Sequence, residues 1–218
     1  MRRLDTPLAA FAAGLAIALA GCGGDGNGGA AEPALEGCRE VEAPDPREPE
    51  QLAPPARKLD AGTSYGLRFQ TSCGEFTVAL DPTLAPKTAA SLVSLAERGY
   101  FDDTLFHRIV PGFVIQGGDP TQTGGGGPGY TTVDPPPADA RYTKGVVAMA
   151  KTPDEPAGAS GSQFFVVTAE DAGLPPDYAI VGEVEDGLAV VDRIGALGDE
   201  TERPTQTVLV ERVSVVEP

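Results

Sequence analysis

Apolar positions divide this chain of 218 residues into three stretches of different character. Residues 8–20 are apolar almost without a break, a run too short to cross a bilayer as an ordinary helix. Over residues 23–55 large apolar side chains are scarce and glycine, proline and acidic residues dominate, so this stretch has no means of building a core of its own. From about residue 59 apolar residues return in short periodic bursts. The remaining length suits one domain with a sizeable core.

Within that domain Leu67, Phe69, Phe76, Val78 and Leu80 alternate with polar residues around Ser72-Cys73-Gly74, which predicts a hairpin over 64–71 and 75–80. Pro86 then opens a helix in which Ala89, Leu92, Val93 and Ala96 recur at helical spacing as far as Gly99. Further strands are predicted at 105–109, 113–116, 146–149, 163–167 and 179–184, a shorter helix at 187–194 and a closing strand at 208–216. In the strand 113–116, period-two geometry puts Phe113 and Ile115 on one face and Val114 and Gln116 on the other. Arg108 lies across the Pro111-Gly112 turn. A mainly β domain of many short strands favours an antiparallel barrel, which leaves no sheet edge exposed.

The first apolar run follows Arg2 and Arg3 and ends in Leu19-Ala20-Gly21-Cys22. Small residues before a cysteine mark a cleavage site, and the pattern resembles the bacterial lipoprotein signal. That resemblance implies that residues 1–21 are removed and that Cys22 becomes the lipidated first residue of the mature chain. A signal cleaved without lipidation, or a short uncleaved anchor, are the alternatives. Residues 22–58, glycine-rich and then proline-rich, read as a flexible segment followed by a stiffer spacer that tethers domain 59–218 to the membrane. One acyl chain binds only marginally, so stable anchoring needs the several chains that the lipoprotein resemblance implies. The expected location is extracytoplasmic, at a bacterial cell membrane.

A formal charge of −16 with no basic cluster argues against nucleic acid and against an electrostatic membrane contact. Of the three cysteines, Cys38 and Cys73 remain once Cys22 is given to lipid. Export permits a disulfide between them; two unpaired thiols, with Cys73 in the hairpin turn, are the alternative. There is no CxxC spacing and His107 is the only histidine, so no metal site is expected. Gly124-Gly125-Gly126-Gly127 lacks the helix and lysine of a phosphate loop and reads as a mobile loop beside a groove.

Three runs carry the candidate chemistry: Phe106-His107-Arg108-Ile109-Val110-Pro111-Gly112-Phe113-Val114-Ile115-Gln116-Gly117-Gly118-Asp119, then Gly145-Val146-Val147-Ala148-Met149-Ala150, then Gly161-Ser162-Gln163-Phe164-Phe165. In this order and at these separations they resemble the signatures of the cyclophilin-type peptidyl-prolyl isomerases, over about residues 64–216. The resemblance implies an eight-stranded antiparallel β-barrel capped by two α-helices, and isomerisation of Xaa-Pro bonds without any cofactor. It makes Arg108 the catalytic arginine and Gln116 a residue that hydrogen-bonds the substrate backbone. Phe113, Val114, Phe165 and Leu174 become the proline pocket, with Ala150 giving backbone contacts beside it.

Plainer readings stand beside these. Arg108 alone would be a surface ion pair, Phe113 and Phe165 core residues, and His107 a structural residue rather than an acid or base. The pattern departs from the family at Gly173-Leu174-Pro175-Pro176-Asp177-Tyr178, where many members carry a tryptophan and then a histidine. Tyr178 can supply the ring and hydroxyl on the pocket wall, while the missing indole weakens the expected grip on cyclosporin. Lys151, after Ala150, is placed to alter the residue preferred near the proline. The expectation is a monomeric, membrane-anchored isomerase acting on proline-containing segments of exported proteins. A non-catalytic proline-peptide binding module is the rival, and a purely structural barrel would leave Arg108 and Gln116 unexplained.

Overall fold

The computed structural model describes residues 37–60 and 62–217; the first apolar run and Cys22 lie outside the described residues. β1 (Gly66–Thr71) and β2 (Gly74–Leu80) form the predicted hairpin, paired from Gly66↔Ala79 to Thr71↔Gly74. Its alternating apolar residues point inward, and Phe69 stacks on Phe76, its partner across the hairpin, with ring centroids 4.7 Å apart. α1 (Pro86–Glu97) buries the predicted Ala89, Leu92, Val93 and Ala96. Its N-terminus is capped from elsewhere: the carboxylate of buried Asp134 accepts the Lys87 and Thr88 amides at 3.0 and 2.7 Å. That satisfies two otherwise orphaned donors and sets negative charge at the positive end of the helix.

The single strand predicted over 105–109 is two strands, β3 (Thr104–Leu105) and β4 (Arg108–Val110). Between them Phe106, with no exposed surface, packs edge-on against Phe164 at 6.0 Å, and the chain changes sheet partner there. β4 pairs with β5 (Val114–Gly117). β6 (Thr132–Val133) and β8 (Ala159–Ser160) form a separate two-stranded sheet, too short for alternation to announce. β7 (Val146–Met149), β9 (Phe164–Val167), β10 (Ile180–Asp186), α2 (Leu188–Gly195) and β11 (Leu209–Val216) fall within two residues of the expected bounds.

The main sheet is one antiparallel ladder, β3-β11-β1-β2-β10-β7-β9-β5-β4, curled into a half-barrel with two helices. Its two end strands follow each other in the chain, and both are very short, so little unpaired backbone is left to recruit another strand. α1 lies against β11 and β6, and α2 against β2, β4 and β5. The largest apolar cluster fills the interior. A second cluster, around Val114 and Phe165, is separate from it.

From Cys38 onward, the stretch expected as a tether lies against the domain. Cys38 is joined to Cys73 by a disulfide. The Arg39, Arg47 and Leu52 amides donate to the carbonyls of Ser72, Pro120 and Pro128 at 2.8, 3.0 and 2.8 Å. Cys38, Leu52 and Leu59 pack on the main core, and the Arg47 guanidinium lies 5.5 Å over the Tyr100 ring while donating to the Tyr100 carbonyl. Residues 38–60 therefore form a strap laid along the domain. A few apolar anchors suffice because the surface they meet is already folded and the prolines reduce the chain entropy lost on docking.

Candidate active site

β5, β9 and β7 lie side by side, in the register Gln116↔Phe165 and Ala148↔Phe165. Their outward-facing residues Val114, Phe165, Val146 and Ala148 form the second apolar cluster with Tyr142 and Val167. Phe113, Ala150, Leu174 and Tyr178 pack against it while keeping part of their surface exposed. All six apolar or aromatic residues singled out from the sequence thus meet in one place. Phe113 arrives by an unexpected route. It sits in the turn before β5, closed by its amide on the Val110 carbonyl at 3.0 Å, rather than on the strand with Ile115. A turn residue is not bound by period-two alternation, so Phe113 joins the cluster of Val114 while Ile115 enters the main core.

Tyr178 meets Phe165 edge-on at 5.6 Å, on the partly exposed side of this cluster. Its position is fixed by Tyr142, whose hydroxyl donates to the Tyr178 carbonyl at 2.7 Å and accepts the Tyr178 amide at 3.0 Å. Burial raises the Tyr142 phenol above its usual range, and it stays neutral. Sequence reading missed Tyr142; its only signal was an aromatic residue in an otherwise polar run.

Beside the cluster runs a line of polar side chains. Arg108 and Gln116 are cross-strand partners, and Arg108 Nη1 donates to Gln116 Oε1 at 3.2 Å. Gln116 Nε2 donates to Gln163 Oε1 at 3.0 Å, and Gln163 Nε2 donates to the carbonyls of Gly124 and Gly126, each at 3.0 Å. At the other end Arg108 Nε donates to Glu202 Oε2 at 2.7 Å. Each amide is oriented by its neighbour, and the guanidinium keeps further N–H groups on Nη1 and Nη2 for a ligand. Gln163 and Glu202 were not found from sequence. Gln163 lay inside a motif already quoted, whereas Glu202 is brought in from a loop 94 residues away.

The glycine loop is not loosely held. Asp119, with no exposed surface, accepts the Thr121 amide and hydroxyl and the Gly124 and Gly126 amides at 2.7–3.1 Å. Burial alone would raise its carboxyl, but the bonds from Thr121 and from the Gly126 and Gly124 amides outweigh this and hold it below the usual range. Gly126 is required by this closeness: a Cβ there would stand 2.0 Å from Asp119 Oδ1. His107 is pushed down by burial and is neutral near pH 7. Among the described residues no group of three potential metal ligands occurs.

Gln116 and Ala150 also open onto a groove of about 800 Å³ that the strap lines through residues 46–51. The whole site offers a fixed positive charge, oriented amides and apolar surface, a combination suited to gripping a peptide and polarising it rather than attacking it.

Comparison with known proteins gives a consistent picture. The family model described as cyclophilin type peptidyl-prolyl cis-trans isomerase/CLD matches residues 66–215. The chain is 41% identical over 154 residues to peptidyl-prolyl cis-trans isomerase-like 1 of Aspergillus oryzae, covering 68% of this chain and 94% of that protein. It is 36% identical over 161 residues to a peptidyl-prolyl cis-trans isomerase of Arabidopsis thaliana, covering 72% and 96%. A crystal structure of a Cryptosporidium parvum cyclophilin type peptidyl-prolyl cis-trans isomerase in the presence of the dipeptide Ala-Pro superposes with a TM-score of 0.64 at 29% identity, covering 70% of this chain and 99% of that one.

Proposed function

The chain belongs to the cyclophilin-type peptidyl-prolyl cis-trans isomerases, and we propose that it uses this activity on exported polypeptides, with Arg108 as the catalytic donor and a lipid on Cys22 as its anchor. Rotation about an Xaa-Pro bond is slow because the nitrogen lone pair is delocalised into the carbonyl, and a peptide bond resists turning by roughly 18–20 kcal/mol. In the twisted state that lone pair is localised on the proline nitrogen. A donor aimed at it stabilises the twisted state more than the planar one, and that difference is catalysis.

The observation that carries this reading is the guanidinium of Arg108, oriented from one side by Glu202 and from the other by Gln116, next to the pocket of Phe113, Val114, Phe165 and Leu174. The proline ring enters the pocket, Gln116 and the Ala150 backbone hold the peptide, Tyr178 closes one side, and the free N–H groups of Arg108 meet the proline nitrogen. Arginine is permanently charged, so no proton moves in the cycle.

Arg2 and Arg3 before the apolar run and the Leu19-Ala20-Gly21-Cys22 sequence support export and lipidation. The Cys38–Cys73 disulfide supports an oxidising compartment. Among the described residues no helix is long and apolar enough to cross a membrane.

The test is cis-to-trans isomerisation of short Xaa-Pro peptides by the wild type and by Arg108→Ala. Acceleration that falls strongly in a folded variant supports the assignment of Arg108. A folded wild type that binds the peptides without accelerating them leaves a proline-peptide binding module. Acyl labelling and membrane fractionation of the wild type against Cys22→Ala test the anchor, which fails if neither changes.

A further inference from the structure

We infer that the strap makes this enzyme choose its substrates by charge: its residues 46–51 form the acidic wall of a groove that receives a lysine or arginine side chain flanking the substrate proline. The inference rests on the peptide occupying the apolar pocket as proposed above. Gln116 and Ala150 border both that pocket and the groove, so a peptide whose proline is seated has its neighbouring residues running between the sheet and the strap.

Three carboxylates line the groove, those of Glu48, Glu50 and Glu155. Among the described residues neither Glu48 nor Glu50 forms an ion pair. The two cations along the groove are already engaged. Lys151 Nζ pairs with Asp177 at 2.7 Å with only 3% of its side chain exposed, and it donates to the Glu155 carbonyl at 3.0 Å. Arg47 is turned over the Tyr100 ring and donates to the Tyr100 carbonyl. Lys151, read from sequence as a residue that tunes the preference, thus has its charge matched by Asp177, and the strap sets the two carboxylates of Glu48 and Glu50 against the single guanidinium of Arg47, which faces Tyr100. The strap is also held in place: the disulfide fixes its start, and the Arg47 and Leu52 amides fix both sides of the acidic pair.

The test compares kcat/KM for proline peptides carrying lysine or glutamate at each position within a few residues of the proline. It uses the full chain, Glu48→Gln/Glu50→Gln, and Glu40→Gln/Glu42→Gln. The last pair changes net charge equally at strap positions outside the groove. The expected result is a lysine-over-glutamate ratio of about three- to tenfold at low salt for the wild type, in the range of one or two exposed charge pairs. The ratio should shrink with added salt and approach one in Glu48→Gln/Glu50→Gln, through KM rather than kcat, while Glu40→Gln/Glu42→Gln keeps it. A ratio of one in the wild type, or equal losses in both variants, overturns the inference while leaving the isomerase intact. Absence of turnover on every peptide overturns both readings.

Discussion

The sheet side and the strap side of the groove are held in contrasting ways. On the sheet side β5 is paired along both edges, with β4 and with β9, and the side chains it presents rest on a cluster whose buried members are at most 5% exposed. On the strap side no strand forms; isolated amide bonds, one disulfide, a few apolar contacts and the side chains of Arg39, Arg47 and Arg57, paired with Glu211, Tyr100 and Glu97, hold the chain. The cluster is therefore held by many mutual contacts, while the strap can be altered one contact at a time. Chemistry that needs a donor fixed to a fraction of an ångström belongs on the first side, and selection among partners can be carried by the second.

Substitutions should separate the two sides, beginning with the most damaging. Phe165→Ala empties the centre of the pocket and should cost about 3–5 kcal/mol of stability, measured by denaturant unfolding, with turnover lost alongside. Arg108→Ala should lower kcat/KM by about 10²–10³-fold while leaving the thermal midpoint within a few degrees of wild type, because the arginine is one-third exposed. A large drop in midpoint would show that the residue supports the fold instead. Cys38→Ser/Cys73→Ser opens a loop of 35 residues and should cost about 3–4 kcal/mol by the loop-closure model, with turnover on an uncharged peptide nearly retained at a temperature where the variant is folded. Glu202→Gln removes an exposed partner of Arg108 and should reduce kcat/KM by no more than about fivefold.

The smallest effect is on pH. The His107 value is depressed in the folded state from 6.5, so below pH 6.5 the unfolded chain takes up its proton first. Its contribution is complete above 6.5 and is lost as pH falls through the folded value. The unfolding free energy of His107→Asn should accordingly depend less on pH in that window than that of the wild type.

The same contrast explains what could be read from sequence. The hairpin and α1 were legible because burial on one face imposes a period, which Leu67, Phe69, Leu92 and Val93 display, and the three motif runs were legible through their resemblance to a family. Phe113 could be placed near Arg108 by the motif, but not in its turn, since a turn residue obeys no period. The division of 105–109 at Phe106 was hidden because an unbroken apolar pattern does not reveal a change of partner. Glu202 and the strap were the least legible. The backbone of Glu202 has φ 65°, in a loop tied by Asp199 to Thr201 and Arg203, and nothing local links that loop to Arg108. Glycine and proline composition argues against a private core in the strap and says nothing about a borrowed one.

The pairing of β1 with both β2 and β11 bears on how the molecule comes into being. Its first strand cannot complete its hydrogen bonds until β11 has left the ribosome. Until then one edge of β1 is open, and the ladder cannot be finished from the N-terminus outward. Such distant pairing puts the domain among the slower-folding topologies, on the order of milliseconds to seconds. Cys38 and Cys73 both emerge long before that moment, so the covalent link between strap and hairpin can be in place while the sheet is still waiting for its final strand.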